Sequence, residues 1–94
     1  MSKNEDQVQH EIDEFGNHKY YLNGQLHREN GPALENINGD QFYYQYGKLH
    51  REDGPAYICV CMEPNIIKWY WEGTRIKCTS QQEFEQLIKL KAFW

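Results

Sequence analysis

The strongest constraint on the fold is a ten-residue stretch that occurs twice. Residues 24–33 read GQLHRENGPA and residues 47–56 read GKLHREDGPA, at an offset of 23. Residues 69–77, WYWEGTRIK, align with YYQYGKLHR as a third copy at an offset of 26, in which Ile76 and Lys77 replace the His-Arg pair. A repeat of this length predicts successive copies of one supersecondary unit that pack side by side.

Each copy has the pattern of a β-hairpin. Aromatic and β-prone residues precede Asn-Gly at 23–24, which is a strong signal for a two-residue turn, and residues 46–47 and 72–73 occupy the same place in the later copies. In the tract HREDGPA we expect Gly54 to adopt a positive φ. We expect Pro55, which has no N–H, to open a strand rather than to lie inside a ladder.

The ends of the chain carry different patterns. Three further stretches predict strands: 8–15, 56–61 and 65–71. Ser80 followed by Glu83 forms a capping box, and the apolar residues Phe84, Leu87 and Ile88 then recur at helical spacing. We therefore expect a C-terminal helix over about residues 81–91, packed on the sheet or capping its open edge.

The predicted fold is mainly β (α+β), a meander of stacked hairpins in one antiparallel sheet with a C-terminal α-helix. Ninety-four residues fit one small domain. Its expected segments are an acidic N-terminal strand or segment (1–18), repeat 1 (19–41), repeat 2 (42–64), a degenerate repeat 3 (65–79) and the helix (80–94).

Charge and cysteine content narrow the function classes. The formal net charge of −4 argues against a general nucleic-acid binder and favours a basic protein partner. No stretch is apolar enough to predict a membrane span, and the N-terminus MSKNEDQ does not resemble a signal peptide. Three cysteines without a staple-like spacing predict a cytoplasmic protein with reduced thiols.

The repeat unit, with its aromatics, Gly turn and His-Gly tract, resembles the MORN repeat. The closer resemblance is to a divergent MORN-like group with G-x-LHR-x-D-G-P-A repeats, found in small proteins of phages and large DNA viruses, and it covers roughly residues 19–77. The resemblance implies an extended sheet of hairpins that scaffolds protein contacts. It also implies an inhibitor of a host or anti-phage defence protein, located in the host cytoplasm if the protein is viral.

The duplicated pairs His27-Arg28 and His50-Arg51 are the first candidate site. In the structural interpretation each Arg pairs with a nearby acid such as Glu29 and each His bonds turn backbone. In the ligand interpretation the two arginines bind a small nucleotide or another phosphate ligand. In the catalytic interpretation His27 and His50 are the acid and base of a phosphodiesterase. Equivalent residues of neighbouring repeats lie about 10 Å apart, which is too far for both to transfer protons at one phosphorus.

The aromatic residues are the second candidate site. Neighbouring strand residues point to opposite faces, so part of the aromatic set is expected on an exposed surface that binds a partner. The candidate binding residues in this set are Tyr44, Tyr46, Trp69 and Trp71. Cys59 and Cys61 are expected to be buried small hydrophobes, because C-x-C alone is a weak zinc motif.

The sequence as a whole predicts a non-catalytic protein-binding module that uses a sheet face or edge. We expect no catalytic residues, no metal and no cofactor. The predicted partner is a host or defence protein, and two copies of the chain pairing through open sheet edges are a further expectation. The C-terminal residues Phe93 and Trp94 are expected to tuck against the sheet or to anchor the partner.

Overall fold

The computed structural model describes residues 7–60 and 63–90, which form ten strands and one helix. The strands are β1 (Gln9–Ile12), β2 (His18–Leu22), β3 (Gln25–Leu26), β4 (Leu34–Glu35), β5 (Gln41–Phe42), β6 (Tyr44–Gln45), β7 (Lys48–Leu49), β8 (Tyr57–Cys59), β9 (Ile66–Trp71) and β10 (Thr74–Ile76). The helix is α1 (Gln81–Leu90). The expectations for Cys61, Phe93 and Trp94 lie outside the described residues.

The strands form an antiparallel sheet, which confirms the prediction of a mainly β fold with one C-terminal helix. Seven strands follow the order β1-β2-β4-β5-β8-β9-β10, and β3 pairs with β2 beside this path. Strands β6 and β7 form a separate two-stranded ribbon. The prediction that all hairpins lie in one antiparallel sheet is therefore wrong for β6–β7, whereas hairpins β2–β3 and β9–β10 belong to the main sheet.

The offset of 23 extends to the first hairpin, before the segment in which the sequence repeat is obvious. Glu11 pairs with Lys19 as Leu34 pairs with Phe42, and the turns at residues 13–17 and 36–40 repeat the same two backbone hydrogen bonds. Gly16 and Gly39 have φ of 92° and 99° in these turns. Hairpin β1–β2 is therefore built like hairpin β4–β5.

A second series of hairpins has its turns at residues 23–24, 46–47 and 72–73. Asn23, Tyr46 and Glu72 have φ of 52°, 50° and 47°, and a positive-φ glycine follows each of them, as two-residue hairpin turns require. Each later turn docks on the preceding unit: Gly47 N donates to the Leu26 carbonyl and Gly73 N donates to the Leu49 carbonyl, both at 2.8 Å. The stack is thus joined by backbone hydrogen bonds from turn to strand.

Helix α1 ends the stack with a small apolar core. Phe84, Trp69 and Ile76 are buried together, and Leu87 and Ile88 pack against them. Ser80 Oγ accepts from Glu83 N at 3.1 Å, which confirms the predicted cap, although the Glu83 carboxylate accepts from Thr79 N. Ile76, the apolar residue at the third His position, thus packs against helix α1, whereas His27 and His50 each accept from the turn of a following unit.

Two findings concern the expected environment of the chain. Among the described residues, no helix is long and apolar enough to cross a membrane. Cys59 is buried, as expected. It is disulfide-bonded, so the expectation of reduced thiols is wrong for this residue. An odd number of cysteines does not prevent one pair from forming. Cys78 is a free thiol.

Candidate functional site

The two His-Arg corners, residues 27–32 (first corner) and 50–55 (second corner), use their histidines in the same way. His27 Nδ1 accepts a hydrogen bond from Tyr46 N at 3.1 Å, and His50 Nδ1 accepts one from Glu72 N at 3.0 Å. Because Nδ1 accepts a backbone N–H, the neutral ring carries its proton on Nε2. Each imidazole therefore anchors the turn of the following unit, which confirms that the histidines bond turn backbone.

The arginines are held by a ring and a carbonyl of their own unit. The Arg28 guanidinium lies 4.0 Å from the Tyr20 ring centroid, and Arg51 lies 3.9 Å from that of Tyr43. Nη1 of each arginine also donates to the proline carbonyl of its corner, at 3.3 Å in the first and 3.1 Å in the second. This combination of cation–π stacking and a charged hydrogen bond closes each corner over the sheet.

The acid partners differ from the expected ones. Glu29 and Glu52 lie 3.6 Å from the Nε2 atoms of His27 and His50, rather than beside the arginines. Arg51 pairs instead with Asp53, whose Oδ1 accepts from Nε at 2.9 Å. The expectation that each Arg pairs with a nearby acid such as Glu29 or Glu52 is therefore met at the second corner, by Asp53. It is wrong for Arg28, which takes part in no ion pair among the described residues.

The glycine of each corner lies close to the arginine of that corner; Gly31 also has a positive φ of 158°, whereas Gly54 does not. A Cβ at Gly54 would lie 2.7 Å from Arg51 Cζ, and one at Gly31 would lie 3.1 Å from Arg28 Cζ. Gly54 is absent from the residues with positive φ, so the expectation of a left-handed conformation there is wrong. The guanidinium occupies the space that a side chain would need.

A groove of about 690 Å³ separates the two corners. Its lining residues are Arg28, Glu29, Asn30, Gly31, Tyr43, Gln45, His50, Arg51, Glu52 and Asp53. The lining carries two guanidiniums and three carboxylates, so its formal charge is −1. Among the candidate residues the groove thus brings together Arg28, His50 and Arg51, whereas His27 lies outside its lining.

The candidate aromatics are distributed over different environments. Trp69 is 5% exposed in the core, and its Nε1 donates to Gln81 Oε1 of helix α1 at 2.7 Å. The Tyr46 and Trp71 rings pack against the imidazoles of His27 and His50, with centroid distances of 4.3 and 4.6 Å. Tyr44 is half-buried in β6. These four side chains do not form one stripe.

The remaining titratable groups give no metal or thiol centre in the part of the chain that the structure describes. No three His, Cys, Asp or Glu side chains there are grouped closely enough to hold a metal ion. Burial raises the pKa of the Cys78 thiol, and the charge of Glu83 raises that pKa further. A thiol that holds its proton in this way is a poor nucleophile and a poor metal ligand near neutral pH.

The sequence interpretation missed a set of exposed apolar side chains in the turns of the main sheet and in the adjoining parts of β1 and β9, which we call the tip surface. Its members are Ile12, Phe15, Ile37, Val60 and Ile67, each at least 40% exposed. Ile37 and Val60 stand 23 positions apart. The same repeat offset that revealed the corners therefore also relates these two positions, and it was the signal available in the sequence.

Comparison with known proteins gives no relative from which a function can be taken. No protein-family model, curated protein or solved structure matches the chain.

Proposed function

We propose that the chain is a MORN-like β-repeat protein that acts without catalysis, by binding a protein partner through the tip surface. The observation that carries this proposal is that the corners and the tip surface have different roles in the molecule. The duplicated polar residues of the corners are engaged in holding the repeats together, whereas the large apolar side chains at the opposite ends of the sheet strands are exposed. Exposed apolar clusters on small proteins commonly mark interaction sites.

The tip surface is ordered by neighbouring turns. A Cβ at Gly16 would lie 3.3 Å from Ile37 Cδ1, and one at Gly39 would lie 3.2 Å from Val60 Cγ2. Ile37 and Val60 thus each lie against the glycine turn of the preceding hairpin. A side chain supported in this way loses little freedom when a partner covers it, which favours binding.

Charge indicates the chemistry of the partner. Glu14 and Glu63 are exposed in or beside the same turns, and the chain carries a formal charge of −4. We infer a partner with an apolar patch bordered by Lys or Arg. Taken with the resemblance to phage and viral repeat proteins, the most specific form of the proposal is an inhibitor of a host or anti-phage defence protein.

Phosphodiesterase and nucleotide-binding functions have less support from the geometry. Both Nδ1 atoms accept backbone N–H groups, and each Nε2 lies beside a glutamate, so neither imidazole is disposed toward a shared substrate atom. The three carboxylates of the groove lining oppose a multiply charged phosphate.

The test uses the wild-type chain and two variants as baits in a bacterial lysate. Ile37→Glu adds a charge to the tip surface, and Leu90→Glu makes the same change at an equally exposed apolar residue of α1 (75% and 73% exposed). Once the retained protein is identified, calorimetry should show that Ile37→Glu weakens binding about tenfold or more and that Leu90→Glu has little effect. Equal losses for both variants, or unchanged binding by Ile37→Glu together with loss in Arg28→Ala, would contradict the proposal.

A further inference from the structure

The two corners differ at one position that decides whether the arginine has an acid partner. In the second corner Asp53 Oδ1 accepts from Arg51 Nε at 2.9 Å. The equivalent residue of the first corner is Asn30. Among the described residues, Arg28 takes part in no ion pair, although its Nη1 donates to the Pro32 carbonyl. The groove therefore contains one compensated and one uncompensated guanidinium.

We propose that Arg28 binds a single carboxylate group, in the position that the Asp53 carboxylate occupies at the second corner. The second corner is the template for this site, because the two guanidiniums are held alike. Each is stacked on a tyrosine at almost the same distance, and each is bonded to a proline carbonyl. A guanidinium held before the ligand arrives loses little rotamer entropy on binding. Its planar donor edge also matches the geometry of a carboxylate.

Charge selects a monoanion over a phosphate. Glu29 and Glu52 also line the groove, so a ligand with two negative charges meets more repulsion than one with a single charge. Two sources present this carboxylate, an Asp or Glu side chain of a protein and a free carboxylic acid. This inference does not depend on the tip surface and goes beyond the proposed function.

The experiment follows the arginine Nε–Hε signals of the full chain by NMR while acetate replaces chloride at constant ionic strength. The Arg28 signal should shift saturably, with an apparent affinity for acetate about threefold higher than that at Arg51, as one ion pair near the surface would give. Equal responses of the two arginines, or no response of Arg28, would overturn the proposal. A larger response to inorganic phosphate than to acetate would also overturn it.

Two matched substitutions exchange the properties of the corners. Asn30→Asp supplies the missing carboxylate internally and should abolish the Arg28 response, whereas Asp53→Asn should give Arg51 a response like that of wild-type Arg28. A response of Arg28 that persists in Asn30→Asp would contradict the assigned position. A blocked aspartyl peptide that binds more tightly than acetate would indicate a protein source, and the reverse order would indicate a free acid.

Discussion

The interior of the repeat stack and its two ends are stabilised in different ways. In the interior, two turns dock on the unit before them. Each turn donates one backbone N–H to a carbonyl and another to an imidazole of that unit. At the C-terminal end, helix α1 covers Ile76, which stands where the earlier copies have histidine. At the N-terminal end, a charged turn closes hairpin β1–β2. The repeated hydrogen bonds thus stabilise a unit only where a neighbouring unit packs against it.

This difference explains why the third copy of the repeat has diverged. An imidazole buried without a turn to bond would leave a polar atom unsatisfied, which costs about 1–3 kcal/mol. An apolar side chain at that position can instead be buried against Phe84 and Trp69. The loss of the His-Arg pair in the third copy is therefore part of how the stack is terminated.

The largest expected effect is at the C-terminal end, where packing replaces hydrogen bonding. Phe84 is completely buried, and Phe84→Ala should lower the free energy of unfolding by about 3–5 kcal/mol, because it leaves a cavity against Trp69 and Ile76. Urea unfolding followed by Trp fluorescence measures this change. A loss below about 1 kcal/mol would show that the helix contributes little to the end of the stack.

The next largest effect distinguishes the two histidines that hold the following turns, His27 and His50. His27 is fully buried and the side chain of His50 is 13% exposed, so His27→Ala should cost about 2–3 kcal/mol and His50→Ala less. His27→Asn, which can place an acceptor near the position of Nδ1, should recover part of the loss. If the Asn and Ala variants are equally unstable in thermal unfolding, the hydrogen bond to Tyr46 N is not what the histidine contributes.

A smaller effect tests the packing of arginine on glycine within one corner. Gly54→Ala should cost about 1–2 kcal/mol, because the new Cβ displaces the Arg51 guanidinium. In an Arg51→Ala background the same substitution should cost much less, and a double-mutant cycle measured by urea unfolding gives the coupling. Additive losses would mean that backbone conformation, and not the guanidinium, requires glycine at this position.

The smallest effect concerns the N-terminal turn and its dependence on pH. Hydrogen bonds from the backbone N–H groups of Asn17 and Phe15 to the Asp13 carboxylate, together with Asn17 Nδ2 and Lys19, hold the pKa of Asp13 below its ordinary value of 3.8. A lowered folded-state pKa means that the stabilisation is present above the unfolded pKa. It is lost as the pH falls through the folded pKa.

Asp13→Asn tests this relation. The stability difference between wild type and variant should be constant near neutral pH and should shrink as the pH falls below about 4, as measured by urea unfolding from about pH 2 to pH 6. Asn36 stands 23 positions later in the corresponding turn and carries no charge, so Asn36→Ala serves as the control and should show no such pH dependence. A difference that stays constant to the lowest pH would contradict the assigned role of the carboxylate.

Much of the local structure could be predicted because it depends on neighbouring residues. The turns at 23–24, 46–47 and 72–73 follow from glycine and its backbone freedom, and α1 follows from its cap and apolar spacing. The role of Gly54 could not be predicted from its neighbours. The group that excludes a side chain there is the Arg51 guanidinium, whose position depends on Tyr43, a residue between β5 and β6.

By itself, the sequence determined that similar units recur, that they are hairpins and that a helix ends the chain, since repeat offset, turn residues and periodicity are local properties. Only the tertiary structure decided what the duplicated side chains do. Which backbone N–H a histidine accepts depends on units that meet in space, 19 to 22 residues apart along the chain. Which acid reaches an arginine depends on how the side chains pack within a corner, where Arg51 stacks on Tyr43 and pairs with Asp53.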